Sequence, residues 1–152
     1  MPAAPLIRHA GEGVHNEAFA LPRTFKVLPE DVDGAFSVWE ESVPEGVGPP
    51  LHVHRGQHEL FAVLEGRLRF RCGDESGEIG AGGTVLIPPD TPHAFRGLAA
   101  EGSRCLITLT PGGGANFFLE VEREGLNPGE HMPRIVEIGL RHGLEFVGPP
   151  LD

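Results

Sequence analysis

The chain has 152 residues, including 22 glycines and 15 prolines, and its 22 acidic and 12 basic side chains give a formal net charge of −10. This length suits a single domain. The negative charge excludes proteins that hold nucleic acid or anionic lipid through a basic surface, and no stretch approaches the roughly 20 apolar residues of a membrane span. No signal-peptide pattern opens the sequence. We therefore expect a cytoplasmic protein without nucleic-acid or membrane partners.

Residues 1–34 are expected to form a lead-in that contains one strand. Glycines and prolines interrupt residues 1–23, which predicts irregular structure there. The first strand is predicted at residues 24–28, where a short run stops at Pro29, and a turn follows at residues 31–34.

Short apolar runs separated by glycine- and proline-rich turns predict a series of strands over residues 35–112. In the first of them Trp39, Glu41 and Val43 share one face, because side chains two apart on a strand point the same way. Together with the lead-in strand there are about eight short strands, which is typical of an antiparallel sandwich or jelly-roll barrel. The predicted core strands are residues 35–43, 51–54, 59–64, 67–72, 84–87, 93–96 and 104–110.

Residues 113–152 are expected to add two helices and a tail strand to the same domain. Helix-spaced apolar residues predict a helix over 115–124. A second helix is predicted over 133–142, with Pro133 at its start, Gly143 at its stop and Leu140 among its inward residues. The tail strand is predicted at 145–147.

Four of the eight histidines fall between residues 52 and 93, together with Glu59. His52 and His54 are two apart and so share a strand face. Glu59 starts the returning strand and His93 starts a later one, and a barrel can bring both beside the first pair. Three imidazoles and a carboxylate suit a divalent transition metal. His58 precedes Glu59 and should point to the opposite face, so we expect it at the surface.

A regular spacing of glycine, histidine and glutamate runs from Gly46 to Gly66. Five residues separate Gly46 from His52, one separates His52 from His54, four separate His54 from Glu59, and six separate Glu59 from Gly66. This spacing resembles the first motif of the cupin superfamily at every fixed position.

A second spacing resembles the other cupin motif with two departures. Gly82 is followed after five residues by Pro88, then by Asp90, His93 and Gly97. Asp90 stands where the motif has glycine, and Gly97 stands where it has asparagine. Because aspartate tolerates turn conformations well, the loop before His93 is expected to be preserved.

The resemblance covers residues 35–110 and implies an all-β cupin fold: a double-stranded β-helix, or jelly-roll barrel, with one or two short C-terminal helices. It implies one divalent transition metal ion per chain, which would be Fe, Ni, Mn, Zn, Co or Cu. Glu59 would also serve as a catalytic base that takes a proton from an acidic substrate hydroxyl. The implied metal ligands are His52, His54, Glu59 and His93.

Alternation in the barrel also predicts an apolar, aromatic substrate pocket around the metal. Phe95 is two residues after His93 and so shares its face. Phe117 and Phe118 on the following helix are placed to cap the mouth. The alternative is that these side chains only fill the core. The predicted pocket residues are Trp39, Phe61, Phe70, Phe95 and Ile107.

The segment from Thr110 onward is also similar to single-domain cupins of the quercetin 2,3-dioxygenase-like group. This implies a dioxygenase acting on a flavonol-like or other enol-bearing small molecule. Two alternatives stay open, since one fold hosts many functions: a non-catalytic module that binds or senses a small molecule through its metal, and a metal-dependent isomerase, which would favour polar groups around the metal. The resemblance further implies a homodimer.

Overall fold

A computed structural model of the chain describes residues 4–152, in which eleven strands form two antiparallel sheets. One sheet has the order β1-β2-β3-β10-β5-β8, and the other has the order β11-β4-β9-β6-β7. The predicted all-β jelly-roll barrel is therefore confirmed. The strands are β1 (Val14–Asn16), β2 (Arg23–Val27), β3 (Ser37–Val43), β4 (Pro50–His54), β5 (His58–Glu65), β6 (Arg67–Cys72), β7 (Glu75–Gly80), β8 (Thr84–Ile87), β9 (His93–Gly97), β10 (Ser103–Thr110) and β11 (Leu144–Pro150).

The core lies between the two sheets and follows the period-two pattern of the sequence. On β3, Trp39, Glu41 and Val43 point inward and are buried, as predicted, while Val38 and Glu40 alternate with them on the outer side. The central strand β10 pairs with both β3 and β5.

Two strands were not predicted from the sequence. The lead-in, expected to be irregular before residue 24, contains β1, which pairs with β2 from Val14 opposite Phe25. The turn predicted after β6 continues into β7, which pairs with β6 along its whole length. Strand β7 is polar and contains Gly77, so it carries no apolar alternation to reveal it; backbone hydrogen bonds to β6 define it instead.

The C-terminal segment forms two helices, α1 (Asn116–Arg123) and α2 (Pro128–Arg141). Helix α2 starts five residues before the predicted start, because Asn127 caps it by accepting a hydrogen bond from the backbone N–H of Glu130. The backbone leaves helical geometry at His131, so Pro133 lies early in the second part of the helix. The prediction that Leu140 points inward is wrong, since it is 59% exposed. No helix within residues 4–152 has the length and apolarity needed to cross a bilayer.

The helices cover one end of the barrel through a second apolar cluster. Phe117 and Val121 of α1 pack there with Ile135 and Ile138 of α2 and with Leu144 at the start of β11. Strand β11 then pairs with β4, placing Phe146 opposite His52. The C-terminal segment therefore covers the strand that carries two of the predicted metal ligands.

Candidate metal centre

The four predicted ligands come together on three strands. His52 and His54 lie on β4, and His93 is directly opposite His52 on β9 of the same sheet. Glu59 reaches them from β5 in the other sheet. One nitrogen or oxygen atom from each of the four side chains lies within 4.8 Å of the others, and all four residues are buried.

The backbone fixes the orientation of two imidazoles. Nδ1 of His52 lies 2.8 Å from the carbonyl oxygen of Pro50, and Nδ1 of His93 lies 2.9 Å from that of Thr91. A carbonyl oxygen only accepts hydrogen bonds, so each Nδ1 carries the proton. The neutral ring then keeps its Nε2 lone pair free, which is the arrangement by which proteins orient metal-binding histidines.

The other polar atoms of the four predicted ligands lie close together, but they leave hydrogen-bonding capacity unused. Oε2 of Glu59 is 2.7 Å from Nε2 of His54 and 3.4 Å from Nε2 of His93. Yet within residues 4–152 neither Glu59 Oε2 nor His93 Nε2 completes a hydrogen bond of acceptable geometry. Leaving a buried polar atom unpaired costs about 1–3 kcal/mol. A cation between these atoms would satisfy them together, so the residues present fit a divalent transition metal.

The protonation states also favour a cation. Burial alone would raise the pKa of Glu59, but His54 and His93 outweigh it and hold that pKa well below its usual range. Burial, with repulsion from the other two imidazoles, lowers the pKa of His52 well below its usual value. Burial opposes the charged form of His93 too, but Glu59 outweighs it and raises that pKa. The group therefore presents an ionised carboxylate beside a neutral imidazole.

Asp90 takes part in the loop before His93 through its backbone conformation and two hydrogen bonds. Asp90 adopts a left-handed conformation with φ of 63°, which aspartate tolerates better than most residues. Its side-chain Oδ1 accepts a hydrogen bond from the backbone N–H of Gly56 at 3.2 Å, and its own N–H donates to the carbonyl of His54 at 3.1 Å. Asp90 thus connects this loop to the turn that follows the first two ligands.

Gly97, the second departure from the motif, has a steric cause. A Cβ atom placed on Gly97 would lie 2.3 Å from the carbonyl oxygen of Pro44. The close approach comes from two backbone hydrogen bonds, from Gly46 N–H to the Gly97 carbonyl at 2.9 Å and from Gly97 N–H to the Val47 carbonyl at 3.0 Å. An asparagine cannot occupy this position without a backbone shift.

The metal-binding group forms one wall of a narrow cavity between the sheets, with a volume of about 30 Å³. Three of the five predicted pocket residues line it: Trp39, Phe95 and Ile107. Phe117 and Phe118 line it as well, at the end covered by α1. The other apolar lining residues are Phe19, Leu21, Pro49, Leu144 and Phe146.

Two predicted pocket residues lie elsewhere. Phe61 is buried behind Phe95, against which its ring packs edge-on with a centroid distance of 5.0 Å. Phe70 is only half-buried on β6, where it faces Gly77 of β7 and a groove on the outside of the barrel. Both follow the predicted alternation, but other side chains or the sheet edge separate them from the cavity. His58 is exposed, as expected.

Two charged residues of the cavity wall, Arg23 and Glu41, were not predicted from the sequence. Glu41 had a signal, since it alternates with Trp39 and Val43 on an inward face. No sequence pattern indicated Arg23, because the lead-in before residue 24 was expected to be irregular. Their side chains form an ion pair, with Nη2 of Arg23 2.7 Å from Oε1 of Glu41. The cavity is therefore apolar and aromatic with two separate polar groups.

Fold and site together define a jelly-roll barrel that buries a three-histidine, one-glutamate group. A protein-family model described as a cupin domain matches residues 39–110, the part of the chain that holds all four of these residues. Residues 39–110 of this chain therefore form a cupin domain.

Two curated proteins are similar in sequence. An uncharacterized protein of Methanocaldococcus jannaschii is 37% identical over 62 residues, 41% of this chain and 50% of that protein. Quercetin 2,3-dioxygenase of Bacillus subtilis is 32% identical over 129 residues, 85% of this chain and 38% of that enzyme. The chain thus spans half or less of the length of these relatives.

Among solved structures, a predicted oxalate decarboxylase from Thermotoga maritima superposes with a TM-score of 0.63 at 15% identity. The match covers 68% of this chain and 97% of that one. At this identity the likeness shows the shared fold alone.

Proposed function

We propose that this chain is a metal-dependent cupin enzyme, a dioxygenase acting on a flavonol-like or other enol-bearing small molecule. The observation that carries the proposal is the buried group of three histidines and Glu59, which opens onto an aromatic-walled cavity and has lone pairs that no described residue satisfies. The sequence similarity to a quercetin 2,3-dioxygenase, which is 32% identical over 85% of this chain, supports a dioxygenase reaction.

Each part of the site has a role in this proposal. His52, His54, Glu59 and His93 would hold the metal, which when bound would supply Lewis acidity for an enolate and redox chemistry for reaction with dioxygen. The ionised Glu59 carboxylate would accept the proton of the acidic hydroxyl. Trp39, Phe95 and Ile107 would hold a flat ring and exclude water.

Loss of the visible absorbance of quercetin tests the dioxygenase directly. Protein loaded separately with Fe, Ni, Mn, Co or Cu is incubated with quercetin in air and under argon. We expect turnover in air with at least one metal. His54→Ala should abolish it, and His58→Ala should retain it, because His58 is exposed at the start of β5 and is not one of the four grouped residues.

Two outcomes would contradict this proposal in different ways. No turnover with any of the five metals would overturn the flavonol substrate. Metal-dependent binding of quercetin without turnover would favour a binding or sensing module over an enzyme.

The Arg23–Glu41 pair supports a second candidate, a metal-dependent isomerase. Such an enzyme would use polar groups around its metal, and this pair lies in the wall of the same cavity. Proton NMR in D₂O without oxygen tests it. Metal-dependent deuterium incorporation beside the carbonyl of a ketose or keto acid would support the isomerase, and unchanged spectra with metal-loaded protein would exclude it for those substrates.

A further inference from the structure

The cavity beside the metal-binding group is too small for an organic ligand in this conformation. Its volume is about 30 Å³, and one water molecule needs roughly 10–15 Å³ by the same kind of measure. Sites for drug-sized ligands have volumes of about 300–1,000 Å³. Part of the cavity wall must therefore move before an enol-bearing molecule can reach the histidines and Glu59.

The mouth of the cavity lies where its lining side chains are only partly buried. Within residues 4–152 these are Phe19, Pro49, Phe118 and Phe146. The ring of Phe19 lies 5.8 Å from the rings of Phe117 and Phe146, measured between centroids. The Phe146 ring in turn lies 6.4 Å from that of His52. Phe19 therefore closes the mouth between α1 and β11, two ring contacts away from a predicted metal ligand.

The backbone that carries Phe19 is strained. Phe19 and the next residue, Ala20, both adopt left-handed conformations, with φ of 62° and 56°. Residues other than glycine rarely enter this region, and then mostly as single residues. Such strain persists only where the surrounding structure imposes it, and it is concentrated at ligand clamps and switch segments. Two strained residues at the mouth therefore indicate a segment that has a second, relaxed conformation.

The residues on either side of this strained pair are fixed. Oδ1 of Asn16 accepts hydrogen bonds from the backbone N–H of Ala18 at 3.1 Å and from Nη1 of Arg23 at 2.8 Å. The same Nη1 donates to the carbonyl of Ala18 at 3.0 Å, and Leu21 is 1% exposed. A conformational change is therefore confined to the two residues between Ala18 and Leu21.

The other side chains at the mouth lack this freedom. Phe118 belongs to helix α1, and Phe146 lies on β11 opposite His52 of β4. The ring of Pro49 fixes its own φ. Phe19 is therefore the mouth residue whose backbone can move without breaking an α-helix or a sheet.

We infer that Phe19 is the gate of this cavity and that the Phe19–Ala20 backbone is the hinge on which it opens. In the closed conformation the Phe19 ring fills the mouth. When both residues leave the left-handed region, their strain is released and the ring swings away from Phe117 and Phe146. The inference rests on the proposed function, because it names the residue that decides which organic molecules reach the metal-binding group.

Trp39 reports this opening directly. It is the single tryptophan of a chain that has no tyrosine, and it lines the cavity with 1% of its surface exposed. Acrylamide is a small uncharged molecule that quenches indole fluorescence on contact, so the rate constant for quenching Trp39 measures how often a small molecule enters. Fluorescence lifetimes are measured against acrylamide concentration on the whole chain, both metal-free and with added Zn²⁺.

Two substitutions of Ala20, whose side chain is exposed, should change the quenching rate constant in opposite directions. Ala20→Gly should lower it about fivefold, which corresponds to about 1 kcal/mol, because glycine adopts the closed conformation without strain. Ala20→Pro should raise it at least about fivefold, because the proline ring holds φ at about −65° and so excludes the closed conformation. Phe19→Ala should also raise it, because the ring that fills the mouth is removed.

The matched control is Asp33→Gly. Asp33 is also exposed and left-handed, with φ of 51°, but it does not line the cavity. Its replacement relieves the same kind of strain and should leave the quenching rate constant at the wild-type value. A decrease equal to that in Ala20→Gly would show that acrylamide enters by global unfolding, which would overturn the gate.

The remaining outcomes also decide the inference. Equal rate constants in the wild type, Ala20→Gly and Phe19→Ala would overturn it, whereas the lowest value in Ala20→Gly and the highest in Phe19→Ala would support it. Circular dichroism verifies folding, and if Ala20→Pro does not fold, the other two variants still decide. Because quenching needs neither metal nor substrate, a negative result leaves the proposed function in place, and failure to turn over quercetin leaves the gate in place.

Discussion

The cavity wall contains two buried polar groups that compensate for the free-energy cost of burial in opposite ways. In the Arg23–Glu41 pair, positive and negative charge cancel inside the chain, and Asn16 and the Ala18 carbonyl hold the arginine. In the group of three histidines and Glu59, no arginine or lysine within residues 4–152 pairs with the carboxylate, and Glu59 Oε2 and His93 Nε2 complete no hydrogen bond there. A buried charge that has no partner within the protein indicates a bound counter-ion. Only the second group is therefore expected to bind a metal.

The largest expected difference between the two groups is in metal content. His52→Ala or His93→Ala should remove most of the bound metal, because each takes away a donor that the backbone has oriented. Elemental analysis measures the metal, and circular dichroism verifies that the barrel remains folded. E41Q should retain full metal content. Unchanged metal in both histidine variants would refute the assignment.

The next largest effect is on stability. R23M alone should destabilise the protein by about 3–5 kcal/mol, because it leaves the Glu41 charge buried without a partner. The double variant R23M/E41M should recover most of this loss, since apolar replacement of a whole buried pair is often neutral. Urea unfolding of the single and double variants measures the coupling. Additive losses would show that the pair is not coupled.

The two glutamates should give opposite pH dependence in metal-free protein. The pKa of Glu59 is lowered on folding, so its stabilising contribution is present above its unfolded pKa of about 4.3 and is lost as the pH falls through the folded value. Burial raises the pKa of Glu41 despite Arg23, so its contribution is present below about pH 4.3 and is lost as the pH rises through the folded value.

The variants Glu59→Gln and Glu41→Gln test these signs. Urea midpoints measured from pH 3 to 7 should fall less steeply with acid in Glu59→Gln than in the wild type, and more steeply in Glu41→Gln. Parallel curves for the two variants would contradict the contrast between the two environments.

The smallest expected effect belongs to the outward neighbour of Glu41. Glu40 also pairs with an arginine, Arg104, at 3.0 Å, but near the surface. E40Q should change the unfolding free energy by less than about 1 kcal/mol, because water screens such pairs. The contrast with R23M then shows that burial rather than pairing sets the energetic cost. A loss comparable to that of R23M would remove this distinction.

The sequence predicted the metal-binding group well because its signal is local and periodic. The spacing of His52, His54 and Glu59 places donors at fixed positions of two consecutive strands in facing sheets, and His93 begins a strand that pairs with the first. Arg23 could not be predicted, because its partners Glu41 and Asn16 meet it only when β1 and β2 join the sheet. Phe61 and Phe70 show that alternation predicts which face of a strand a side chain is on, but not how far along the barrel that side chain lies.

Two expectations stay predictions: the homodimer and the cytoplasmic location. Light scattering coupled to size exclusion tests the first, with a mass of twice 16.3 kDa expected. Fractionation of cells that express the full protein tests the second.

Strand β11 covers one edge of β4, the strand that carries His52 and His54. It pairs with β4 on the side that β9 leaves open. If the last strand were clipped by a protease, β4 would become a free edge with unpaired backbone groups, and such edges recruit strands from other molecules. Loss of this strand would therefore expose the ligand-bearing strand β4 to pairing with other molecules, so β11 also protects the chain from self-association.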